Sequence, residues 1–471
     1  MEDLKKKWAF VVNGVNICGG INVVFEHAIY AYKQGVEIYI LCGAKLKKEQ
    51  AAWHPETENL IFATFEECKG IVFDVVIATS WVTVYDLYKI NAKTYSYFVQ
   101  AVESQFMDDR ERKYIPIAEL TYTLPLQFLT EATWIKDYLM DKYAQPAQLI
   151  LNGIRKDLYL GHDEVVEKRD EKKLRVLIEG AVTDWRKNVP LTIELVNQSE
   201  ADEVWLLTSS KIDTCQGVDR VFSRVPVQDV PKIYRSCDVL VKLSLIEGMY
   251  GPPLEMFHCG GTAITFGIPG SEEYIRHGEN ALVADVGEND KIVQYINDLK
   301  RTPELLKNLK RGACQTAMEW RGWEESSSEF FEKVSQLRQS TEDEVKKIME
   351  QSLRLREVFD YLSVSGRINR PDSRIEKAWE YAQEHKLKLV VYGAGRLAAN
   401  AIRKLEEYEA VISGVAVSSL EGNPKAVFGH EVKKIGDYAE NQSQYLIWIS
   451  SNKFYAEISK QLKEMNFEHI M

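Results

Sequence analysis

Glu247 and Glu255 stand with seven residues between them in the stretch V-L-V-K-L-S-L-I-E-G-M-Y-G-P-P-L-E-M-F-H-C-G-G, from Val239 to Gly261. The apolar opening predicts a strand. Gly248, Gly251, Pro252 and Pro253 predict a loop, and Leu254 to His258 a short helix that Gly260-Gly261 ends. Glu247 then falls at the carboxyl end of a strand, where open α/β sheets bind ligands. Glu255 falls in the first helical turn. Between them, unpaired backbone N–H groups and the helix dipole can hold an anion such as a diphosphate. Carboxylates are strong acceptors for sugar and ribose hydroxyls. One short segment can therefore hold a hexose, a diphosphate and a ribose in a row. Acidic residues are also favoured at helix N-termini for the dipole alone, so the spacing by itself admits a purely structural origin.

The elements that must position these residues alternate along the chain. Trp8 to Val12 reads as a strand, Asn13 to Gly20 as a turn, and Ile21 to Gln34 as a helix with Ile21, Val24, Phe25, Ala28, Ile29 and Tyr32 on one stripe. Val36 to Leu41, Asp74 to Thr79 and Thr94 to Val99 are further apolar strands. Near-continuous apolar strands between amphipathic helices predict parallel sheets covered on both faces. Arg155 to Lys173 is charged and aperiodic and reads as an interdomain linker. A second alternating set has strands at Leu174 to Ile178, Glu203 to Thr208, Val239 to Leu243 and Thr262 to Thr265, and ends in a helix near Trp323 to Leu337.

Glu342 to Leu362 reads as a charged helix with Val345, Ile348, Leu355, Phe359 and Leu362 in a seven-residue pattern broken by Ser352. That pattern fits a helix packed on its own domain, and a self-association helix remains open. Arg367 to Arg374 reads as a short linker. A third α/β set follows, with strands at Leu387 to Tyr392, Ile412 to Val417 and Tyr445 to Ile449 and a helix at Leu397 to Leu405. The expected fold is thus α/β throughout. Residues 1–160 form one Rossmann-like domain, 172–338 a second, 340–366 a connecting helix and 371–471 a small Rossmann-like third domain.

Bulk properties agree with several soluble domains. The 471 residues are 45% apolar and 27% charged, with a formal net charge of −11. That charge argues against non-specific nucleic-acid binding, which needs a basic face. No run of about 18 apolar residues predicts a membrane span. The opening Met1 to Lys7 carries no signal-peptide pattern. The seven cysteines lack a Cys-x-x-Cys pair, and the eight histidines lack metal-ligand spacing. The expectation is a cytoplasmic protein with reduced thiols and no metal.

The string Glu247-Gly248-Met249-Tyr250-Gly251-Pro252-Pro253-Leu254-Glu255 resembles the E-x7-E signature of glycosyltransferase family 4, with one extra residue between Gly248 and Gly251. The flanks are similar too: Val227 to Asp238 before the strand, Gly267-Ile268-Pro269-Gly270-Ser271-Glu272-Glu273 after it, and His277-Gly278-Glu279-Asn280-Ala281-Leu282-Val283 as its H-G-x-N-x-L-V turn. The resemblance spans about residues 8 to 337. It implies a GT-B fold of two facing Rossmann-like domains, the first on the acceptor side and the second binding a nucleotide-sugar donor. It further implies retention of anomeric configuration without an essential metal or other cofactor.

The same resemblance assigns roles. Glu247 with Lys187 and Arg186 carries the chemistry. A cation is wanted beside the diphosphate as it leaves, and the family's usual arginine after the glycine is replaced here by Ala181. Glu255, Gly251, Met249 and Tyr250 contact the donor, as do Gly19 and Gly20 in the first strand-to-helix turn, where glycine lets backbone approach a ligand closely. Tyr97 to Phe106 resembles the Y-F-V-Q-D-x-E-x-x-F string of a branch that includes surface-glycan rhamnosyltransferases, with Ala101 in place of the aspartate. Thr79-Ser80-Trp81 and Leu151-Asn152-Gly153-Ile154 match that branch as well. In that string Gln100 and Glu103 either line the acceptor side or fix the loop. The branch favours a dTDP-sugar donor, with UDP- and GDP-sugars open, and a surface-glycan or lipid-linked glycan acceptor. Peripheral contact at the inner face of the cell membrane and homo-oligomerisation are also left open.

Two other readings stand beside this one. Gly393-Ala394-Gly395-Arg396-Leu397-Ala398-Ala399 follows a strand and matches G-x-G-x-x-A, as an NAD-dependent oxidoreductase would require. The acidic residue expected after the next strand is missing from Val415 to Ser419. The third domain also resembles small Rossmann-like units appended to polysaccharide-biosynthesis enzymes. A non-catalytic assembly subunit that docks through it is the third reading.

Overall fold

The computed structural model describes residues 5–161, 163–368, 373–407, 410–450 and 455–471. Strands β1 (Lys7–Val11), β2 (Glu37–Cys42), β3 (Ile61–Thr64), β4 (Val72–Ala78), β5 (Asn91–Val99), β6 (Gln127–Thr130) and β7 (Ala147–Leu149) form the first sheet. Its order is β3-β2-β1-β4-β5-β6-β7 and its strands pair in parallel. The strand β1 shows why its sequence is an unbroken apolar run. Trp8 and Phe10 enter the core on one face of the sheet, and Ala9 and Val11 enter the core on the other.

The second sheet repeats this winding. β8 (Arg175–Glu179), β9 (Glu203–Thr208), β10 (Arg220–Ser223), β11 (Val239–Lys242), β12 (Thr262–Phe266) and β13 (Ala281–Ala284) pair in parallel in the order β10-β9-β8-β11-β12-β13. The winding reverses between β8 and β11, so the loops after these two strands diverge and leave a crevice at the carboxyl edge. A third sheet comprises β14 (Lys388–Tyr392), β15 (Ile412–Val417), β16 (Ala426–Val427), β17 (His430–Lys434), β18 (Tyr445–Ile449) and β19 (His469–Ile470), ordered β16-β17-β15-β14-β18-β19. All of its pairs are parallel except the β16–β17 hairpin.

Three departures from the sequence expectations matter for the site. Residues 155–173 are more than a linker. Lys156–Tyr159 is a helical turn, Tyr159 is buried, and Arg169 donates to the carbonyls of Gly260 (2.8 Å) and Cys259 (3.0 Å). This charged strap caps the helix Gly251–His258, which carries Glu255. Its charges satisfy the helix's last carbonyls and so escape any apolar period.

Second, the helix Trp323–Ser335 returns to the first sheet. Phe330 lies in the core with Phe10 and Phe98, stacked on His27 with ring centroids 4.1 Å apart, and the His27 Nδ1 pairs with the Ser327 Oγ at 3.0 Å. Third, the described side chains of the helix Glu342–Ile368 pack on the first sheet's opposite face. Ile348 and Leu355 are buried there, Phe359 meets Trp81 at 5.5 Å and Tyr114 at 5.3 Å, and Arg356 pairs with Asp86 at 2.6 Å. The seven-residue stripe that left self-association open is therefore covered by the chain's own first unit. Of the linker expected at 367–374, residues 369–372 lie outside the described residues.

Candidate donor site at the carboxyl edge of the second sheet

β11 ends in Lys242, a lysine with no exposed surface. Its Nζ bonds the Glu179 Oε2 at 2.5 Å and carbonyl at 3.3 Å, and lies 3.6 Å from the Glu247 Oε1. Burial pulls the ammonium down, but the Glu179 and Glu247 charges more than offset it, so its pKa ends above the ordinary value. Lys187 reaches the same carboxylate from the other side of the crevice, with its Nζ 2.8 Å from Glu247 Oε1 and 2.7 Å from Oε2. Burial pushes the Glu247 carboxyl up, yet the two lysines win and hold it below the usual carboxylate range. Glu247 and Lys187, paired from sequence, are thus in contact at the switch point between β8 and β11.

Gly180 makes this contact possible. Its φ is +146°, and an added Cβ would come within 3.0 Å of both the Lys187 Cβ and the Val189 Cγ2. Any side chain there would push Lys187 away from the crevice. Arg186 is committed locally: its Nε and NH2 donate to Asp184 at 2.8 and 2.6 Å, and its guanidinium sits 5.3 Å above the Phe106 ring of the first unit. The carbonyl of Arg186 accepts from the Leu245 N–H at 2.8 Å, which ties the Lys187 loop to the Glu247 loop.

Glu255 lies in the helix Gly251–His258, beside Tyr159 and Tyr234. Burial and the neighbouring Glu179 charge push its carboxyl up to about 7, against the pull of the two hydroxyls and Lys242. It shares Glu179 and Lys242 with Glu247, so the two glutamates belong to one buried charge network. Gly251 opens this helix, and Met249 presents its N–H toward the first unit. Tyr250, expected at the donor surface, is fully buried, and its hydroxyl donates to the Lys242 carbonyl at 2.6 Å. The turn aims its ring at the core, and Tyr250 fixes the loop from beneath.

The first unit closes the other wall. Gln100 lies between Gly20, whose added Cβ would meet the Gln100 Oε1 at 3.1 Å, and Gly248, whose added Cβ would overlap the Gln100 carbonyl. Gly248 is glycine because the facing backbone leaves no room. Gly19 starts the helix Gly19–Lys33, and an added Cβ there would meet nothing within 4 Å. Glu103 does not line this wall. Its carboxylate accepts from Tyr97 Oη and Tyr122 Oη at 2.8 Å each and from the Trp81 N–H at 3.0 Å, inside the first unit, where burial raises its pKa. A carboxylate with three internal donors fixes the loop instead of meeting an acceptor.

Several residues here were not singled out from sequence. Trp134 Nε1 donates to the Gly248 carbonyl at 2.8 Å, and Glu131 accepts from the Met249 N–H at 3.3 Å and from Asn152 Nδ2 at 3.0 Å. The Gly248–Met249 peptide is therefore gripped on both edges by the first unit. Lys242 left a trace in the sequence as a lone charge in the run Val239 to Leu243, and Glu179 as an acid ending an apolar strand. Glu131 and Trp134 left none, because their partners are distant in the chain.

Burial pushes the Glu131 carboxyl up to about 7. A carboxyl raised in the folded state stabilises the fold while it is neutral, and that contribution falls as pH rises from about 4.5 toward 7. The Asn152 Oδ1 beside it is buried without a hydrogen-bond partner, which suits a neutral neighbour that can donate. Glu131→Gln is accordingly expected to melt level with the parent at pH 5 and above it at pH 8. Thermal denaturation across that range checks it, and a gap that closes with rising pH would be the contrary result.

In the third unit, Gly393 has φ +113°, and its added Cβ would lie 2.5 Å from the Ser450 Oγ. The Tyr392 hydroxyl bonds Ser418 at the end of β15, where a ribose-binding carboxylate would have to stand. The side chains of Arg396 and Leu397 lie outside the described residues.

Two facing parallel sheets, with this charge network at their junction, form a GT-B fold. Residues 216–316 match the family Glycosyl transferases group 1. A search of curated protein sequences found no match. Among solved structures, sucrose-phosphate synthase from Thermosynechococcus elongatus is similar at a TM-score of 0.58 and 12% identity, over 70% of this chain and 99% of that one. HepE from Anabaena, solved in complex with UDP-glucose, gives 0.57 and 12%, over 70% and 100%. WaaG, a glycosyltransferase involved in lipopolysaccharide biosynthesis, gives 0.55 and 12%, over 70% and 100%. The group 1 segment and the shared fold support a GT-B glycosyltransferase. Among the described residues no helix is long and apolar enough to cross a membrane.

Proposed function

We propose that the protein transfers a sugar from a nucleotide-diphosphate sugar to a surface-glycan or lipid-linked glycan acceptor, with retention of configuration. The observation that carries this is the Lys187–Glu247 pair at the switch point, backed by the buried Lys242. Glu247 is held ionised and can accept from a donor hydroxyl, while Lys187 can turn to the diphosphate as negative charge develops on it. In this reading Glu255, in the same network, accepts from ribose. Gly248 and Met249 border the sugar end, and Gln100 with Gly20 borders the approach of the acceptor.

For the donor we infer a dTDP-sugar, dTDP-rhamnose first, on the strength of the string Tyr97 to Phe106. UDP-sugars are its direct competitors, since HepE was solved with UDP-glucose. A panel of dTDP, UDP, GDP, their sugars and NAD, read by thermal shift and then by transfer, tests the reading. A nucleotide at 100 times its Kd stabilises by about 2.7 kcal/mol. The expected result is stabilisation by dTDP or UDP and their sugars, with none by NAD. Stabilisation by NAD alone would favour the oxidoreductase reading instead.

A further inference from the structure

The third unit touches both lips of the donor crevice. Its β16–β17 hairpin turns through Phe428 (φ +48°) and Gly429 (φ +79°), the positive pair of a type I′ turn. Glycine, asparagine or aspartate is the ordinary first residue of such a turn, and a bulky aromatic there is strained. The strain has a visible return. Phe428 packs against the core of the second sheet as well as its own, and the Gly429 backbone lies against the second unit, where an added Cβ would meet the Cys215 Sγ at 3.4 Å and the Val182 Cγ1 at 3.8 Å.

Two polar contacts extend the docking. Glu406 Oε2 accepts from the Thr183 Oγ1 at 2.7 Å, and Arg403 pairs with Asp108 of the first unit at 3.5 Å. Thr183 is followed by Asp184, which holds Arg186. Arg186 lies over Phe106, and Phe106 is two residues from Asp108. The contacts therefore form a closed circuit that runs from the third unit through Thr183, Asp184, Arg186, Phe106 and Asp108 back to the third unit.

We infer that the third unit is a positioning module for the donor loop: it clamps the loops around residues 181–187 and 106–110 together and so sets the placement of Arg186 and Lys187. Its effect on turnover rests on the glycosyltransferase reading above, but the clamp itself does not. The test uses the full chain with Phe428→Asn and, separately, Glu406→Ala, which removes the acceptor of the Thr183 hydroxyl. Asparagine suits the left-handed turn, so Phe428→Asn keeps the hairpin while it removes the docked ring.

Trypsin sites at the exposed Arg110 and Arg112 report on the first-unit loop without any sugar present. Cleavage there is expected to quicken about fivefold or more in both variants, and kcat to fall about tenfold with donor KM within about twofold, as for an interaction made in the transition state. Unchanged cleavage in both variants, or faster cleavage with an unchanged kcat, overturns the inference. Faster cleavage in a protein that transfers no sugar from any nucleotide donor counts against the catalytic reading and upholds the clamp.

Discussion

Lys187→Ala is expected to lower kcat/KM for sugar transfer by about 10²–10³-fold, equal to about 2.7–4 kcal/mol of lost charge stabilisation. The melting temperature should move by a few degrees at most. Before donor binds, Lys187 is a part-exposed side chain whose ammonium rests on both oxygens of Glu247. Its loss leaves Glu247 still paired with the buried Lys242, so the fold keeps its internal balance. Under the proposed function the reaction loses a lysine that can swing from carboxylate to phosphate. Arg186 is a poor substitute, since Asp184 holds it in two hydrogen bonds. Steady-state kinetics with the best donor checks this. Full-rate transfer by Lys187→Ala and by Glu247→Ala would place the chemistry elsewhere.

Lys242→Ala should act mainly on stability. Removing the buried ammonium leaves Glu179 and Glu247 facing each other without the cation between them, a loss of about 3–5 kcal/mol. At about 2–4 °C per kcal/mol for a unit of this size, melting should fall by on the order of 10 °C. The pH dependence has a definite sign. In the parent, Glu247 is held below the usual range, so its contribution is intact at neutral pH and fades only as pH falls through that lowered value. In the variant Lys242 no longer opposes the burial that pushes the carboxyl up, so its pKa lies above the parent's. The variant therefore gains less stability than the parent as pH rises through the carboxylate range. The gap between parent and variant should widen from pH 4 to pH 8, and a constant gap would mean that Lys242 contributes by packing alone.

The central strands were legible because both faces of each sheet are covered. β1, β4, β5, β8, β9 and β11 each read as an apolar run and lie near their expected places. The edges were not. β3, β10 and β13 are four residues each, and Ile61 in β3 is 38% exposed, so neither length nor periodicity marks them. Periodicity also says which face of a helix is apolar but not what covers it. The helices Trp323–Ser335 and Glu342–Ile368 were found as helices, while their partner, the first sheet, was not.

The site divides in the same way. Glu247 and Glu255 follow from a local string and a strand-loop-helix setting, and Lys187 from the family resemblance of the segment after β8. Glu131 serves a backbone N–H 118 residues away, and nothing near it in the chain announces that. Tyr250 and Glu103 carried the right chemistry for a ligand, but the fold turned both inward, because a tyrosine ring or a carboxylate with internal partners is satisfied without one.

The return of the chain to the first sheet sets an order of events at the ribosome. The last strand of that sheet ends at Leu149, but the helix residues that cover its two faces, Phe330 and Phe359 among them, are made far later. At about 5–20 residues per second, the roughly 200 intervening residues take about 10–40 s to emerge. Through that interval the nascent first unit presents Phe10, His27 and Phe98 on one side and Trp81 and Tyr85 on the other without their final cover. Release of the finished unit therefore waits on synthesis of the second, and truncations that end between the two sheets should emerge as chaperone clients instead of as free domains.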